Sequence, residues 1–405
     1  MSKIAILGFG TVGSGVYEIM KKNHDSIARK AGKPIELARI LDIRDFPGHE
    51  AEALFTKDFN VILQDPEIDI VAEVIGGLHP AYEFTKQLLE AGKSVVTSNK
   101  ELVAACGAEL LAIAKEKGVH YMFEASVGGG IPIIRPMHQC LAANEISEII
   151  GILNGTTNYI LTEMIKKGKS FAEALKDAQQ KGYAEANPAA DVEGKDACRK
   201  IAILSSLSFG YQIDAEKIPT EGITKITLDD VKLAESMGYV IKLIGCSKRM
   251  GDKVMAYVSP VLIPQEHSLA GVDGVFNAIM IKGDSIGDVM FYGRGAGKLP
   301  TASAVMADVI DCARNEEVTH PIIWKKSEKD VLESTMENEC AMYVRLNNTA
   351  AEKAKMAFGD ISLYHLPGDE REAAFITERM KEKEFYRRLA DVPEVQQIMR
   401  VRCQD

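Results

Sequence analysis

Residues 3 to 20 constrain the fold more than any other stretch. Lys3 to Leu7 is a short run rich in β-formers; Gly8-Phe9-Gly10-Thr11-Val12-Gly13 follows, and Val16, Ile19 and Met20 then recur at helical spacing. In that strand–turn–helix setting the glycines of Gly-x-Gly-x-x-Gly permit a tight turn, let backbone approach a pyrophosphate, and let the helix pack on the strand. The free N–H groups at the helix start attract phosphate. The chain is therefore expected to open with an α/β dinucleotide-binding domain over residues 1–130. Its cofactor contacts are expected at Gly8, Gly10, Thr11, Val12 and Gly13.

The next strand, Glu36 to Ile43, ends in Asp42-Ile43-Arg44-Asp45. An acid there suits the ribose 2′-OH of NAD and an arginine the 2′-phosphate of NADP, so the stretch leaves both cofactors open. Ile68 to Ile75 reads as a buried parallel strand, a helix follows over Phe84 to Leu89, and the strand Ser94 to Thr97 delivers Thr97-Ser98-Asn99-Lys100. Ligands bind beyond the carboxyl ends of such strands, which directs Lys100 toward the cofactor, although a lysine after a strand is also commonly just solvated. Val119 to Phe123 is a last strand. It leads into Glu124 to Pro132, where three successive glycines suggest close backbone approach or a hinge.

A stretch dense in carboxylates follows. Residues 182 to 200 run from Gly182 through Glu185, Asn187-Pro188, Asp191 and Gly194 into a helix from about residue 194, with Asp196 and Lys200 on one face. Taken alone, that pair reads as an exposed i,i+4 pair worth about 0.2–0.5 kcal/mol. Asn154-Gly155-Thr156-Thr157 marks a turn able to cap a helix or line a pocket. Leu228 to Leu243 reads as helix, and Lys253 to Leu262 and Val275 to Lys282 as strands. A second glycine cluster, Gly293 to Gly297, precedes an apolar-faced helix from Ala302 to Ala313.

The chain of 405 residues is 46% hydrophobic and carries a formal net charge of −10 without a dense basic block, which argues against nucleic-acid or anionic-membrane partners and for small molecules. Its seven cysteines, at 106, 140, 198, 246, 312, 340 and 403, form no Cys-x-x-Cys pair and read as reduced thiols in a cytoplasmic setting. A strand beginning at residue 3 leaves no room for a signal peptide, and no apolar run approaches a membrane span.

Order and spacing of these motifs resemble homoserine dehydrogenase over roughly residues 3 to 320. The matching segments are the Gly8/Gly10/Gly13 turn, Glu73 to Gly77, Thr97 to Lys100, Glu124 to Pro132, Asn154 to Asn158, residues 182 to 200, and Gly293 to Thr301. The resemblance implies a Rossmann-type domain over 1–130 completed by a helix within 296–318, and an α+β substrate-binding and dimerisation domain over 131–318. It also implies NAD(P)-dependent interconversion of L-homoserine and L-aspartate 4-semialdehyde in threonine, methionine and isoleucine biosynthesis. Carried over by position, Glu185 and Asp196 bind homoserine with Asp191 close by, Lys200 is the proton donor and acceptor, and Lys100 lies between cofactor and substrate. Arg44, Gly182 and Gly295 or Gly297 join the cofactor contacts. The resemblance further implies a monovalent cation, usually sodium, held by backbone carbonyls that here would be those of Glu124, Val127, Gly129 and Ile131. The family's usual aspartate is Asn187 here.

Residues 319–338 look like a linker. Beyond them, residues 339–405 read as strand, helix, strand, strand, helix, strand, which resembles the βαββαβ ACT regulatory domain, except that Asn347-Asn348-Thr349 replaces the loop that meets an effector such as threonine. A homodimer is expected, with a tetramer through this domain as the further option. The rival readings are a related amino-acid dehydrogenase and a catalytically idle NAD(P)-binding sensor.

Overall fold

The structure is a computed structural model that describes residues 1–315, 317–319, 321–327 and 329–402. Cys403 lies outside the described residues, as do His320 and Glu328 of the expected linker. Strands β1 (Ser2–Leu7), β2 (Ile35–Leu41), β3 (Phe55–Thr56), β4 (Ile68–Glu73), β5 (Ser94–Thr97) and β6 (Tyr121–Met122) form a parallel sheet in the order β3-β2-β1-β4-β5-β6. Strand order reverses between β1 and β4, and the carboxyl ends of strands at such a switch point open a crevice for ligands.

The glycine turn leaves β1 at that crevice. Gly8 has φ +96°, a Cβ on Gly13 would stand 2.0 Å from the Gly8 carbonyl oxygen, and the helix Thr11–Lys22 begins at Gly10 with no side-chain cap. Turn, close packing and free N–H groups are thus all present. The helix Lys298–Arg314 returns to complete this domain: a Cβ on Gly15 would lie 2.9 Å from the Cβ of Ala302, and Val305, Met306 and Val309 share a core with Ile4, Ile6 and Val16.

The middle of the chain builds an antiparallel sheet from β7 (Ile146–Ile152), β8 (Tyr239–Met250), β9 (Lys253–Pro264), β10 (Phe276–Gly283) and β11 (Gly287–Arg294), in the order β11-β10-β7-β8-β9. The helices Gly155–Lys167 and Lys195–Phe209 pack on it. Two expectations change here. The helix expected over Leu228 to Leu243 ends at Ser236, Gly238 turns at φ +84°, and Tyr239 opens β8. The apolar residues of 239–246 suit a strand buried on both faces as well as a helix, and pairing with β7 and β9 decides between them. Gly293 and Arg294, the start of the second glycine cluster, end the edge strand β11, which was not among the expected strands.

At the C-terminus, β12 (Glu339–Asn347), β13 (Tyr364–Leu366), β14 (Asp369–Ile376), the short β15 (Met380–Lys381) and β16 (Val395–Val401) join the helices Ala351–Phe358 and Glu382–Leu389 in the expected order, β15 being an addition. β16 pairs in parallel with β9 through Arg400/Val261 and Val401/Leu262, so this sheet continues the middle one. The buried Asp230 accepts Arg345 Nε at 2.7 Å across the same junction. The segment expected as a linker is a packed strap: Lys325 bridges to Tyr211, Leu332 to Val254, and Trp324 is 2% exposed.

Candidate active site

Lys100 is delivered by a chain of bonds at the ends of β4 and β5. The buried Glu73 carboxylate accepts Thr97 Oγ1 at 2.6 Å and the Ile75 N–H at 2.8 Å, and burial pushes its carboxyl up. Thr97 Oγ1 accepts the Asn99 N–H at 2.9 Å, and Asn99 caps the helix Lys100–Lys117 by accepting the Leu102 N–H at 3.1 Å. Asn99 Nδ2 donates to the Gly77 carbonyl at 2.6 Å, tying the two strand ends together. Lys100 therefore starts its helix at the mouth of the crevice.

The middle domain brings the other half. Gly194, at φ +84°, takes the left-handed turn that starts the helix Lys195–Phe209; the expected irregular segment before it contains one short helix, Ala189–Val192. Asp196 and Lys200 are 5% and 7% exposed, so theirs is no solvated pair. Lys200 Nζ donates to Asp196 Oδ2 at 2.7 Å and to the Leu153 carbonyl at 2.7 Å. Lys100 Nζ pairs with Asp196 Oδ1. Asn154 caps the helix Gly155–Lys167 through the Thr157 N–H at 2.8 Å, and its Nδ2 donates to Asp191 Oδ1 at 2.7 Å and Asp196 Oδ2 at 2.9 Å.

The electrostatics follow from that layout. Burial pushes the Asp196 carboxyl up, but the two ammonium groups outweigh it and hold it well below the usual range. Burial lowers Lys200, Lys100 lowers it further, and Asp196 opposes both. Burial raises Asp191, with the Asp196 charge adding to it. An ammonium has three donors, and two of those on Lys200 are held by protein, so one remains for a ligand.

Other expected residues fall around this centre. Thr156 Oγ1 donates to the Tyr183 carbonyl at 2.7 Å, bringing the turn at Gly182 (φ +72°) to the start of the helix Gly155–Lys167. The Glu185 side chain is exposed, and among the described residues only its carbonyl is joined, accepting Gln179 Nε2 at 3.2 Å. Asn187 Oδ1 accepts the Ala189 N–H at 3.3 Å, so asparagine keeps the turn. At the other end of the crevice Asp42 accepts the Phe9 N–H at 2.7 Å and three bonds at 2.9 Å from Arg44, from its N–H, Nε and an Nη; Arg44 first and then Phe9 hold its carboxyl well below the usual range against the effect of burial. Both Asp42 oxygens are thus engaged, while the Arg44 side chain is 57% exposed.

The two later glycine segments meet. A Cβ on Gly129 would lie 2.4 Å from the Gly295 carbonyl oxygen, the Gly130 N–H donates to the Arg294 carbonyl at 3.1 Å, and Gly297, at φ +125°, caps the helix Lys298–Arg314 without a side-chain bond. Glu124, Val127, Gly129 and Ile131 are buried residues, and the carbonyls of Val127, Gly129 and Ile131 accept no hydrogen bond among the described residues, while Glu124 opens a single 3-10 turn, Glu124–Ser126. The Glu124 side chain is otherwise engaged, accepting the N–H groups of Ile133, Ile134 and Arg135 at 2.6–2.8 Å.

Asn277 was not among the expected site residues. It is 1% exposed, lies against Gly295 and Gly155, and neither its amide nitrogen nor its oxygen has a partner among the described residues. The available signal was a lone polar residue inside the apolar run Val275 to Ile279. The Leu153 carbonyl also escaped the sequence, because a backbone acceptor leaves no residue signature.

Comparison with known proteins bears on this geometry. Residues 132–310 match the family model for homoserine dehydrogenase, and residues 8–124 that for the homoserine dehydrogenase NAD-binding domain. A homoserine dehydrogenase of Pseudomonas aeruginosa is 46% identical over 313 residues, covering 77% of this chain and 72% of that one. The chain belongs to the homoserine dehydrogenase family. The crystal structure of a homoserine dehydrogenase from Thiobacillus denitrificans superposes with a TM-score of 0.90 at 38% identity, covering 99% of this chain and 98% of that one. A hyperthermophilic archaeal homoserine dehydrogenase mutant in complex with NADPH gives a TM-score of 0.66 at 29% identity, over 76% of this chain and 97% of that one. The first domain is thus a nucleotide-cofactor domain of this family. No helix among the described residues is long and apolar enough to cross a membrane.

Proposed function

We propose that this site interconverts L-homoserine and L-aspartate 4-semialdehyde with NAD(P), and that Lys200 carries the proton of the substrate oxygen. The carrying observation is the buried Lys200 ammonium with two donors fixed, by Asp196 and the Leu153 carbonyl, and one left over. In the oxidation direction neutral Lys200 accepts the hydroxyl proton as the carbon becomes a carbonyl; in reduction it returns the proton. A bound nicotinamide supplies the hydride acceptor or donor. Gly8, Gly10, Thr11, Val12 and Gly13 would hold its pyrophosphate and Arg44 its ribose end, with Gly182, Gly295 and Gly297 lining the crevice. Asp196 is engaged by both lysines and aligns them, which leaves Asp191 and Glu185 to receive the substrate ammonium, and Lys100 to stand between substrate and cofactor.

The carbonyls of Glu124, Val127, Gly129 and Ile131, all on buried residues and the last three without a hydrogen bond among the described residues, suit a monovalent cation such as sodium, since buried acceptors without a partner are uncommon. No cluster of three or more His, Cys, Asp or Glu side chains among the described residues offers a metal another site. A homodimer is supported by the edge strand β11, whose Met290 and Tyr292 are 39% and 53% exposed. Among the described residues Cys106, Cys140, Cys198, Cys246 and Cys312 are free thiols, which suits a cytoplasmic setting. Oxidation of NADPH and NADH with L-aspartate 4-semialdehyde, with and without threonine, tests the reading. Turnover is expected with the wild type and not with Lys200→Ala, which should still bind NADPH. Bound cofactor without wild-type turnover would favour the idle sensor, and inhibition by threonine would make the C-terminal domain a regulator.

A further inference from the structure

The chain contains one tryptophan, Trp324, and it sits in the strap between the middle and C-terminal domains. Its ring fills the space that a side chain at residue 107 would need: a Cβ on Gly107 would stand 2.5 Å from Trp324 Cζ2. Gly107 belongs to the helix Lys100–Lys117, about two turns or 10 Å from Lys100. The same ring meets Phe123 edge-on at 5.3 Å between centroids, immediately before the loop that begins at Glu124. Its Nε1 donates to Gln212 Oε1 at 2.8 Å.

Gln212 follows the helix Lys195–Phe209, and its carboxamide addresses the Lys100 helix directly. Gln212 Oε1 accepts the Ala108 N–H at 2.9 Å, and Nε2 donates to the Ala104 carbonyl. Those are the two backbone groups that an α-helix ordinarily joins to each other, so the side chain is inserted at one rung of the ladder. The strap fixes Gln212 from the other side: the Gln212 N–H donates to the Lys325 carbonyl at 2.8 Å, and the Lys325 N–H to the Gly210 carbonyl at 3.0 Å. Earlier in the strap, Val318, Pro321 and Ile322 line a cavity of about 270 Å³ against Leu111 and Phe123, so the tight contact is concentrated at Trp324.

One side chain therefore touches the helix that begins with Lys100, the segment that follows the helix of Lys200, and Phe123, which joins β6 to the proposed cation loop. We propose that Trp324 and Gln212 are positioning residues, a clamp that sets the tilt of the Lys100 helix and so the placement of Lys100 about the Asp196–Lys200 pair. This rests on the reading that both lysines act on bound substrate. A tilt of about 6° at the clamp moves the helix start, about 10 Å away, by about 1 Å, and a misplacement of that size costs on the order of 100-fold in rate. Because the strap runs on into the C-terminal domain, it also gives that domain a mechanical connection to Lys100.

The test is kcat and KM for both substrates in the full-length protein, comparing wild type with Trp324→Leu, Trp324→Phe, Gly107→Ala and the double variant Gly107→Ala/Trp324→Phe. Trp324→Leu and Gly107→Ala are expected to lower kcat about 10- to 100-fold with the cofactor KM within about threefold, because alignment and not cofactor binding is lost. Trp324→Phe should retain most of the activity, and in the double variant the smaller ring should recover much of the loss caused by Gly107→Ala. A purely structural role would lower Tm and leave kcat per folded, NADPH-binding molecule unchanged; that result overturns the clamp, as does an unrecovered double variant. If Trp324→Leu does not fold, the Gly107 pair decides. Absence of turnover in the wild type overturns the functional reading and the clamp with it, whereas normal turnover in wild type and Gly107→Ala alike overturns the clamp alone.

Discussion

Lys200 donates to Asp196 Oδ2 at 2.7 Å from one turn further along the same helix, while Lys100, from the other domain, holds Oδ1 of that carboxylate. One acid thereby aligns two cations that would repel each other. Replacing Lys200 by arginine keeps the charge and loses the proton transfer, since a guanidinium does not deprotonate in a protein. Lys200→Arg is therefore expected to lower kcat by about 10²- to 10⁴-fold, the range for general acid–base catalysis, with NADPH affinity by fluorescence titration little changed.

The pH dependence follows from the direction of the Lys200 shift. Lys200 must be neutral to accept the homoserine proton, and burial first, then Lys100, lowers its pKa, while Asp196 and Asp191 oppose. Homoserine oxidation should rise with pH along a limb lying below the ordinary lysine value. Lys100→Met removes one lowering charge, so the limb should move to higher pH; a kcat profile that stays in place or moves down would contradict this.

Asp42 has its acceptor positions filled by Phe9 and Arg44, and the exposed guanidinium is what it presents to the ribose end. Arg44→Ala is expected to raise KM for NADPH by about tenfold, the scale of one charged hydrogen bond, and to leave KM for NADH nearly unchanged. Equal effects on both cofactors in steady-state assays would place the 2′-phosphate elsewhere.

A buried amide without a partner costs about 1–3 kcal/mol unless a water or ligand completes it. Asn277→Leu fits the same space and should hold or raise Tm by calorimetry. If a bound group uses the amide, the same variant should lose affinity for homoserine or cofactor by about tenfold.

Exchange of sodium for choline tests the four carbonyls near Gly129. Removal of the ion should lower Tm and activity together, and sodium should restore both; a protein indifferent to the exchange holds no such ion there. Anything that binds the folded state alone stabilises it by mass action, so the midpoint should rise with sodium concentration.

The sequence by itself determined the local chemistry. Gly8 and Gly13 announce a nucleotide turn because a side chain at either would not fit, Gly8 at φ +96° and Gly13 against the Gly8 carbonyl, and the spacing of Asp196 and Lys200 places both on one helical face whatever surrounds them. Tertiary structure decided what those groups do. The i,i+4 spacing cannot distinguish a solvated pair from a buried one; burial by the middle sheet, Lys100 from another domain and the Leu153 carbonyl make that distinction. Residues 239–243 read as helix and fold as strand, since apolar residues suit helix and buried strand alike until neighbouring strands offer hydrogen bonds. Trp324 looked like part of a linker because its partners, Gly107, Phe123 and Gln212, are more than 100 residues away in the chain, and only folding brings them within reach.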